Sequence, residues 1–327
     1  MRAIEVSAFG GPAVLTLTEF PDLVAGPGEA VISVVAADVI FLDTVIRSGL
    51  AAQWFPVKPP YVPGGGVGGL ITSAGEGVPA EWVGRPVIAL VGSQGSGGGY
   101  AEQAVAAADR LIPLPKGVDV RSATALLHDG ATAFGLAAGT GIKQGEWVLV
   151  LGAAGGLGTI LVQLARSSGA RVVGAARGAA KLAALRELGA DAVVDYSQPG
   201  WKNRVTELTA GAGPDVVFDG VGGELGQEAF GIIAAGGRFS AHGAPSGGFA
   251  VIDPREAARR GVSVRGIEQV QFQPTEHAQF ARRALAELSA GRITPVIGQS
   301  FPLEQAAAAH AGIEARSSIG KTVLTVS

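Results

Sequence analysis

The sequence contains no cysteine, and this absence restricts its chemistry more than any residue that is present. Composition alone excludes disulfides, thiolate nucleophiles and cysteine-ligated zinc. Only four histidines remain, and no two of them have metal-ligand spacing within one helix or hairpin: His128, His242, His277 and His310. We therefore expect no bound metal.

The chain also has little net charge and no long apolar run. Its formal net charge is −3 over 327 residues, without a basic cluster, which argues against a nucleic-acid partner. Met1 leads directly into a strand pattern, and no stretch of about twenty apolar residues lacks glycine or charge. We therefore expect no signal peptide, no membrane span and a cytoplasmic protein. Hydrophobic residues make up 47%, which over this length allows two domains with sizeable cores.

The most informative segment that is present covers residues 148–160. An apolar run, Val148–Leu151, leads into a glycine-rich turn, Gly152–Gly158, and then into an apolar helix pattern. This order suits a dinucleotide pyrophosphate, because glycines let the backbone approach the phosphates and a helix N-terminus offers N–H groups and a positive dipole end. A tight turn without a ligand is the alternative. The flanking strand and helix, in register, favour the dinucleotide.

The next strand pattern indicates which dinucleotide is bound. NAD-specific sites normally carry Asp or Glu at the end of this strand, where the carboxylate holds the ribose 2′-hydroxyl. Here the strand at residues 171–174 is followed by Arg177, with Lys181 one turn later. Cations at this position favour a 2′-phosphate. The sequence therefore predicts NADPH, and a pair of solvated surface charges is the alternative.

The chain shows two different secondary-structure patterns, with the change near residue 121. Residues 1 to about 120 show short strand patterns separated by Gly and Pro, which is typical of a partly open β-barrel. From Arg121 onward, strand and helix patterns alternate as in a doubly wound parallel sheet. The prediction is an α/β protein with a catalytic domain at residues 1–121 and 270–327, and a cofactor domain at residues 122–269.

Short motifs spread over nearly the whole chain carry a family resemblance. They are Asp43–Leu50, Pro63–Gly64 with Gly68–Gly69, Gly97–Glu102, Ala153–Gly158, Leu188–Asp191, Val194–Tyr196, Asp219–Gly223 and Gly320–Leu324. Together they resemble the medium-chain dehydrogenase/reductase superfamily, and in detail its zinc-independent quinone oxidoreductase branch, the zeta-crystallin-like enzymes. The resemblance implies a GroES-like partly open β-barrel for the catalytic domain and a Rossmann fold for the NADPH-binding domain.

The resemblance also implies which residues contact the cofactor, although a turn or core role is the alternative for each. The implied pyrophosphate contacts are Gly155, Gly156, Leu157 and Gly158. Those near the adenosine 2′-phosphate are Gly174, Lys181 and Tyr196. Those around the nicotinamide and its ribose, with the following backbone contacts and one C-terminal arginine, are Thr132, Gly220, Val221, His242, Gly243, Ala244, Ile267, Glu268 and Arg316.

The sequence departs from the family pattern at the positions of the metal ligands and of the usual proton donor. Ile40 stands where zinc-dependent relatives place a metal-binding cysteine and quinone reductases an asparagine, and Gly64–Gly66 replaces a Gly-His-Glu motif. Val45 and Ala51 stand where some quinone and enoyl reductases have tyrosines. The resemblance thus implies loss of both the catalytic metal and the usual side-chain proton donor.

Two residues remain as catalytic candidates. The ordinary pKa of a histidine lies near physiological pH, so His128 is suited to protonating a developing enolate or hydroquinone oxygen, directly or by ordering water. A surface histidine bonded to backbone is the alternative. Asp43 is expected to pair with Arg47, four residues later, as structural support rather than to act in catalysis. We expect His277 and His310 to be solvated on polar helix faces.

The predicted function is an NADPH-dependent, metal-free reductase that passes a hydride to a quinone or an α,β-unsaturated ketone. One alternative is an enoyl-thioester reductase of the polyketide or fatty-acid type, which the missing tyrosines weaken. Another is a low-turnover NADPH-binding structural or sensor protein. Residues 51–61 and 245–275, which we expect to carry specificity, contain no readable code for the substrate. By analogy with relatives, Val262–Gly266 is the expected edge through which a homodimer pairs.

Overall fold

The computed structural model describes residues 1–92 and 98–326. Gly97, which opens one of the family motifs, lies outside the described residues. The strands in chain order are β1 (Arg2–Val6), β2 (Leu15–Glu19), β3 (Glu29–Val39), β4 (Gly66–Ala74), β5 (Pro86–Leu90), β6 (Gln103–Ala107), β7 (Leu111–Pro113), β8 (Trp147–Leu151), β9 (Arg171–Ala176), β10 (Ala192–Asp195), β11 (Val216–Asp219), β12 (Arg238–Ala241), β13 (Ser263–Arg265), β14 (Ile297–Pro302) and β15 (Lys321–Thr325).

The described residues also form α-helices, and short 3₁₀ turns lie next to several of the strands. In chain order the helices are α1 (Phe41–Ser48), α2 (Val120–Thr140), α3 (Gly156–Ser167), α4 (Ala179–Glu187), α5 (Trp201–Leu208), α6 (Gly223–Gly231), α7 (Pro254–Arg259), α8 (Pro274–Ser289) and α9 (Ala306–Glu314). Within the two described ranges, no helix combines the length and the apolar character needed to cross a membrane.

The chain divides into two compact units. One, called here the mixed-sheet unit, comprises Met1–His128 and Ala281–Ser327, and the other, the parallel-sheet unit, comprises Asp129–Phe280. Both divisions fall inside helices, α2 and α8. The predicted division after residue 121 also falls inside α2, whereas the predicted division after residue 269 precedes α8.

The parallel-sheet unit is built on a six-stranded sheet in the order β10-β9-β8-β11-β12-β13. Every neighbouring pair is parallel, and the strand order reverses between β8 and β11. Val148–Leu151 of β8 and Val216–Phe218 of β11 are continuous apolar runs and are buried, as is typical of central strands in parallel sheets. Leu151 pairs with Ala175 and Asp219, so the ends of three strands meet at the carboxyl edge, where open α/β sheets bind ligands.

The last strand of this sheet, β13, lies at its edge, as the sequence predicts. All three of its residues are exposed. The core lies further in, where Phe230 and Phe239 stack edge to face with ring centroids 5.6 Å apart. Pairing of two chains through β13 stays a prediction.

The mixed-sheet unit contains a seven-stranded sheet and a separate β1-β2 hairpin. Along the sheet the order is β14-β15-β3-β4-β5-β7, with β6 also pairing to β3. The 11-residue β3 is therefore the organising strand, since β4, β6 and β15 all bond to it. Its alternating apolar side chains enter a core that α9 closes with Ala306 and Ala309.

Candidate functional site

The glycine turn, Gly152–Gly158, connects β8 to α3 at the carboxyl edge of the parallel sheet. Gly152 has a φ of +68°, a left-handed conformation that favours glycine. A Cβ at Gly158 would lie 2.5 Å from the Gly152 carbonyl oxygen and 2.7 Å from the Ala153 Cα. Because these neighbours are backbone atoms, position 158 accepts only glycine, and α3 starts in close contact with β8.

The N-terminus of α3 is open. Gly155 precedes the helix with φ −82° and ψ 172°, no described side chain caps the helix, and its first turn contains no acidic residue. The first-turn N–H groups and the positive end of the dipole of this 12-residue helix therefore form an anion site. The glycine turn fits the pyrophosphate of a dinucleotide.

The basic residues lie at the end of the neighbouring strand. Arg177 is exposed directly after β9, and Lys181 is half-buried in the first turn of α4. Asp195, at the end of β10, accepts backbone hydrogen bonds from Gly178 at 3.0 Å and Ser197 at 2.9 Å, which fixes the turn that carries Arg177. Hydrogen bonds from Ser197 lower the pKa of Asp195, and the charge of Arg177 lowers it further.

Two other residues predicted near the 2′-phosphate differ in position. Tyr196 follows β10 and packs half-buried against the core of the parallel-sheet unit. Gly174 lies in the middle of β9, where a Cβ would be 3.1 Å from Leu185 Cδ1 of α4. Helix packing accounts for this glycine, and its contact with a cofactor stays a prediction.

The loops after β11 and β12 touch backbone to backbone. A Cβ at Gly243 would lie 2.2 Å from the carbonyl carbon of Gly220. Asp219 organises the first loop by accepting the N–H groups of Val221 at 3.0 Å and Gly222 at 2.8 Å. Burial raises the pKa of Asp219. These contacts hold Gly220, Val221 and Gly243 at one place on the carboxyl edge.

His242 lies among these loops and is buried. Its Nδ1 is 3.0 Å from Ser240 Oγ, and its Nε2 would lie 3.5 Å from a Cβ at Gly220. Burial lowers the pKa of His242 to about 4, so the ring is neutral at physiological pH. A neutral, fixed imidazole is suited to lining a ligand and not to donating a proton at pH 7.

The remaining predicted cofactor residues are spread over both units. Thr132 is half-buried on α2, and Ile267 is 36% exposed on a 3₁₀ turn. Glu268 turns back on its own loop, where its carboxylate accepts the Gly266 N–H at 2.7 Å. Ala244 follows Gly243 and is half-buried, whereas Arg316 belongs to the mixed-sheet unit and is exposed, with a φ of +54°.

Arg47 corrects one prediction in the mixed-sheet unit. Its fully buried guanidinium forms an ion pair with Glu314 of α9 and donates to the carbonyl oxygens of Gly10 and Thr44. The predicted Asp43–Arg47 pair is wrong, because the tertiary fold offers Arg47 a carboxylate 267 residues away that the sequence spacing does not reveal.

Asp43 instead belongs to a buried chain of polar groups. Tyr100 donates its hydroxyl to Asp43 Oδ2 at 2.9 Å, and the same hydroxyl oxygen lies 3.1 Å from His310 Nε2. Burial raises the pKa of Asp43 to about 6 and lowers that of His310 to about 3. The prediction that His310 is solvated is wrong, since the apolar side of α9 packs it fully into the core. His277 is half-buried on α8.

His128 forms a second polar cluster, with Asp38 of β3 and Lys321 of β15. Its Nδ1 donates to Asp38 Oδ2 at 2.7 Å, and Lys321 Nζ lies 3.4 Å from the same oxygen. The side chain of His128 is 24% exposed, whereas that of Asp38 is fully buried. The Nδ1 atom of His128 is thus bonded to a buried carboxylate, and a catalytic role for His128 stays a prediction.

Sequence analysis missed most of these polar partners: Asp38, Tyr100, Glu314 and Lys321. One signal was available, since Asp38 is a charge inside the otherwise apolar run Val34–Val39 of β3. A charge in such a position requires a partner to offset its desolvation. The identity of that partner depends on tertiary contacts.

Known proteins resemble this chain over nearly its whole length. Residues 156–287 match the zinc-binding dehydrogenase family, and residues 26–116 match the alcohol dehydrogenase GroES-like domain. The chain is 33% identical to the quinone oxidoreductase of Rattus norvegicus over 330 residues, covering 99% of this chain and 97% of that protein. It is 31% identical to the 2-haloacrylate reductase of a Burkholderia species, covering 96% of each. The structure of Escherichia coli quinone oxidoreductase complexed with NADPH aligns with a TM-score of 0.90 at 27% identity, covering 99% of this chain and 100% of that one.

These matches confirm the predicted α/β fold with a GroES-like domain and a Rossmann-like parallel sheet. The residues do not fit the zinc that one family description implies. The family resemblance implies that Ile40 and Gly66 stand at ligand positions, and neither residue has a side-chain donor atom for a metal. Within residues 1–92 and 98–326, no three His, Asp or Glu side chains are grouped so that they could hold a metal ion.

Proposed function

Because the chain belongs to the medium-chain dehydrogenase/reductase superfamily and is a quinone oxidoreductase-like enzyme, we propose that it transfers a hydride from NADPH to a quinone or an α,β-unsaturated ketone without zinc. The observation that carries the proposal is the open N-terminus of α3 behind the glycine turn, with Arg177 and Lys181 at the next strand end. This arrangement supports a dinucleotide that bears a 2′-phosphate.

The parallel-sheet unit supplies most of the proposed cofactor contacts. The N–H groups of the first turn of α3 bind the pyrophosphate, including those of Gly156, Leu157 and Gly158, while Gly155 allows close approach. Arg177 and Lys181 bind the 2′-phosphate, with Tyr196 and Gly174 beside it. The other proposed contacts, around the nicotinamide, its ribose and the adjoining backbone, are Thr132, Gly220, Val221, His242, Gly243, Ala244, Ile267, Glu268 and Arg316. The bound cofactor supplies the hydride.

The proposed acceptors follow from the residues that are missing. A quinone or enone delocalises the charge that develops when it accepts a hydride, so the protein does not need a Lewis acid. The related 2-haloacrylate reductase, by its name, reduces an activated carbon–carbon double bond, which supports this acceptor class. The task of the protein is then to hold acceptor and cofactor face to face and to exclude bulk water.

For the proton, we propose water ordered by His128. Val45 and Ala51 replace the tyrosines of some relatives, and neither carries a titratable group. His242 is neutral and buried, so it does not serve as the acid at pH 7. His128 is the partly exposed imidazole of the pair formed with Asp38.

An NADPH-consumption screen over quinones, enones and enoyl thioesters tests the proposal, run with a metal chelator and without it. We expect turnover with small quinones or enones, no effect of the chelator and no stoichiometric zinc by elemental analysis. Turnover confined to enoyl thioesters would instead support the polyketide or fatty-acid type. NADPH binding without oxidation of any acceptor would contradict the reductase and leave a structural or sensor role, and zinc-restored activity would refute zinc independence.

We further propose that two chains pair through the exposed edge strand β13. Sedimentation of the wild type should give a dimer, and substitution of the central edge residue, Val264→Pro, should give a monomer because proline removes a ladder hydrogen bond. A wild-type monomer would exclude the pairing. A cytoplasmic location remains a prediction that cell fractionation checks.

A further inference from the structure

One residue of the parallel-sheet unit ties together the loops that follow β11 and β12. These loops, called here the paired loops, are Gly220–Gly222 and His242–Gly248. The side chain of Asp219 accepts the N–H groups of Val221 and Gly222 through Oδ1, at 3.0 and 2.8 Å. Its backbone carbonyl oxygen accepts those of His242 and Gly243, at 3.1 and 3.0 Å. Asp219 therefore holds two N–H groups of each loop.

The paired loops also contact each other directly. Ser246 donates its N–H to the carbonyl oxygen of Val221 at 3.0 Å. The backbones are so close that a Cβ at Gly243 would lie 2.2 Å from the carbonyl carbon of Gly220. The shape of the first loop thus determines where the second loop lies, and Asp219 controls both.

Helix α6 holds the Asp219 carboxylate from its other side. A Cβ at Gly226 would lie 2.1 Å from Asp219 Oδ2 and 2.7 Å from Ala250 Cβ. Within residues 1–92 and 98–326, Oδ2 has no hydrogen-bond partner. Glycine is unfavourable in a helix interior, so its presence in α6 needs a cause. That cause is the space that the carboxylate takes at position 226.

Asp219 acts on a ligand only through the paired loops. Its side chain is completely buried, whereas Gly220 and Gly243 are half-buried, so loop backbone and not the carboxylate reaches the surface. Burial raises the pKa of Asp219, although the N–H groups on Oδ1 lower it. A proton taken up on Oδ2 would leave Oδ1 free to accept from both N–H groups. The anchor therefore needs the oxygen and not the charge.

We propose that Asp219 is a positioning residue for the cofactor: it holds the paired loops in the shape that binds the nicotinamide half of NADPH. This inference rests on the proposed function, which assigns Gly220, Val221, Gly243 and Ala244 to that half. The proposed contacts of the adenine half lie elsewhere, at the glycine turn and after β9. Loss of the anchor therefore weakens binding of the nicotinamide half and leaves the adenine half bound as before.

The primary test compares the binding of two ligands by calorimetry: NADPH, and 2′-phospho-AMP, which is its adenine half. Asp219→Ala removes the side-chain acceptor and should weaken NADPH binding by about tenfold or more, because the cofactor must then order the loops. The dissociation constant of 2′-phospho-AMP should change by less than about twofold. Asp219→Asn keeps an oxygen at the Oδ1 position and should restore NADPH affinity to within about threefold of wild type.

A second pair of variants displaces the carboxylate without removing it. Gly226→Ala puts a methyl group against Asp219 Oδ2, so it should weaken NADPH binding and spare 2′-phospho-AMP, as Asp219→Ala does. Gly231→Ala is the matched control, since it makes the same change in the same helix and no described atom lies within 4 Å of a Cβ there. It should leave both dissociation constants unchanged.

Hydrogen exchange of the Val221 and Gly222 amides, in protein without cofactor, reports on the anchor itself. Both amides should exchange slowly in wild type and in the control variant. In Asp219→Ala and Gly226→Ala they should exchange at least about tenfold faster, while the amide of Leu149 in β8 is unchanged. A loss of global stability alone would instead speed exchange of all three amides and weaken both ligands together.

Three results would overturn the inference. These are NADPH binding that neither Asp219→Ala nor Gly226→Ala weakens, parallel weakening of NADPH and 2′-phospho-AMP, or fast exchange of the Val221 and Gly222 amides in wild type. If Asp219→Ala does not fold, Gly226→Ala decides the question. Failure of the wild type to bind NADPH would refute the proposed function, whereas unchanged NADPH binding in the variants would refute only the positioning role of Asp219.

Discussion

The two units build their polar sites from different materials. In the parallel-sheet unit the glycine turn and the open end of α3 consist of backbone, and the packing of Gly158 against Gly152 and Ala153 sets their geometry. In the mixed-sheet unit, charged side chains form the polar sites, in which the buried Arg47 and Asp38 pair with the more exposed Glu314 and His128. We expect the fold of a site built from backbone to tolerate changed charges nearby, but not a larger side chain within it. A side-chain site is sensitive to the loss of a single charge.

The largest expected effect is on stability, in the mixed-sheet unit. Arg47→Met leaves the carbonyl groups of Gly10 and Thr44 and the carboxylate of Glu314 without their donor. We expect the free energy of unfolding to fall by about 3 kcal/mol, because the carbonyl oxygens of Gly10 and Thr44 each lose a donor around a buried position. Arg259→Ala is the control, since its ion pair with Glu256 is exposed, and it should lower the free energy of unfolding much less than Arg47→Met does. Equal losses of unfolding free energy in the two variants, measured by urea denaturation, would contradict the distinction between the Arg47 contacts and a surface pair.

In the parallel-sheet unit, a charge change should alter cofactor choice without altering stability. Arg177→Asp should weaken NADPH binding by about tenfold to a hundredfold, or about 1.5–3 kcal/mol, because it removes a charge-assisted bond to the 2′-phosphate. NADH binding should change little. Arg186→Asp makes the same charge change in the last turn of α4, and should leave both dissociation constants unchanged. An NADPH constant unaffected by Arg177→Asp, measured by fluorescence titration, would place the 2′-phosphate elsewhere.

A larger side chain at Gly158 in the glycine turn should alter stability, in contrast to the charge change at Arg177. Gly158→Ala places a methyl group 2.5 Å from a backbone oxygen and should destabilise the protein by about 1–3 kcal/mol, as overpacking does. Gly155→Ala would place its Cβ 3.4 Å from the Gly152 carbonyl oxygen, so it should fold normally but bind NADPH more weakly if the pyrophosphate lies against this residue. Thermal melts and NADPH titrations separate the two effects. A stable, tightly binding Gly158→Ala protein would contradict the packing argument.

The smallest expected effect is a difference in acid sensitivity. His310 has a pKa of about 3 in the fold and 6.5 ordinarily, so the unfolded chain takes up the proton first and stability falls as the pH drops below 6.5. The pKa of Asp43 is raised to about 6 in the fold, so the folded state takes up the Asp43 proton first. This uptake opposes the loss of stability below pH 6. Between pH 7 and 5.5, wild type should lose about 1.4 kcal/mol more than His310→Gln. Parallel curves of unfolding free energy against pH would show that His310 titrates normally.

The contrast between the units also explains what the sequence can predict. The glycine turn, the basic residues after β9 and the βα alternation are contiguous in the chain, so local pattern rules describe them. The Tyr100–His310 contact joins residues 210 apart, and the Arg47–Glu314 pair joins residues 267 apart. No local rule connects such residues. Arg47 was predicted as the partner of Asp43 because the two are close in sequence, and that prediction was wrong.

His128 lies between these two cases. Its residue type indicated a role in proton transfer, but the Asp38 carboxylate bonded to its Nδ1 lies 90 residues earlier in the chain and was not predicted.

Transfer of deuterium from C4-deuterated NADPH to an α,β-unsaturated ketone tests the central claim most directly. Each C4 epimer is incubated with the protein and the enone, and the product is analysed by mass spectrometry and NMR. The account predicts one deuterium on the carbon β to the carbonyl, from only one of the two epimers, at a rate that a chelator does not change. A product without deuterium, or NADPH that stays bound and unoxidised with every acceptor, would contradict it.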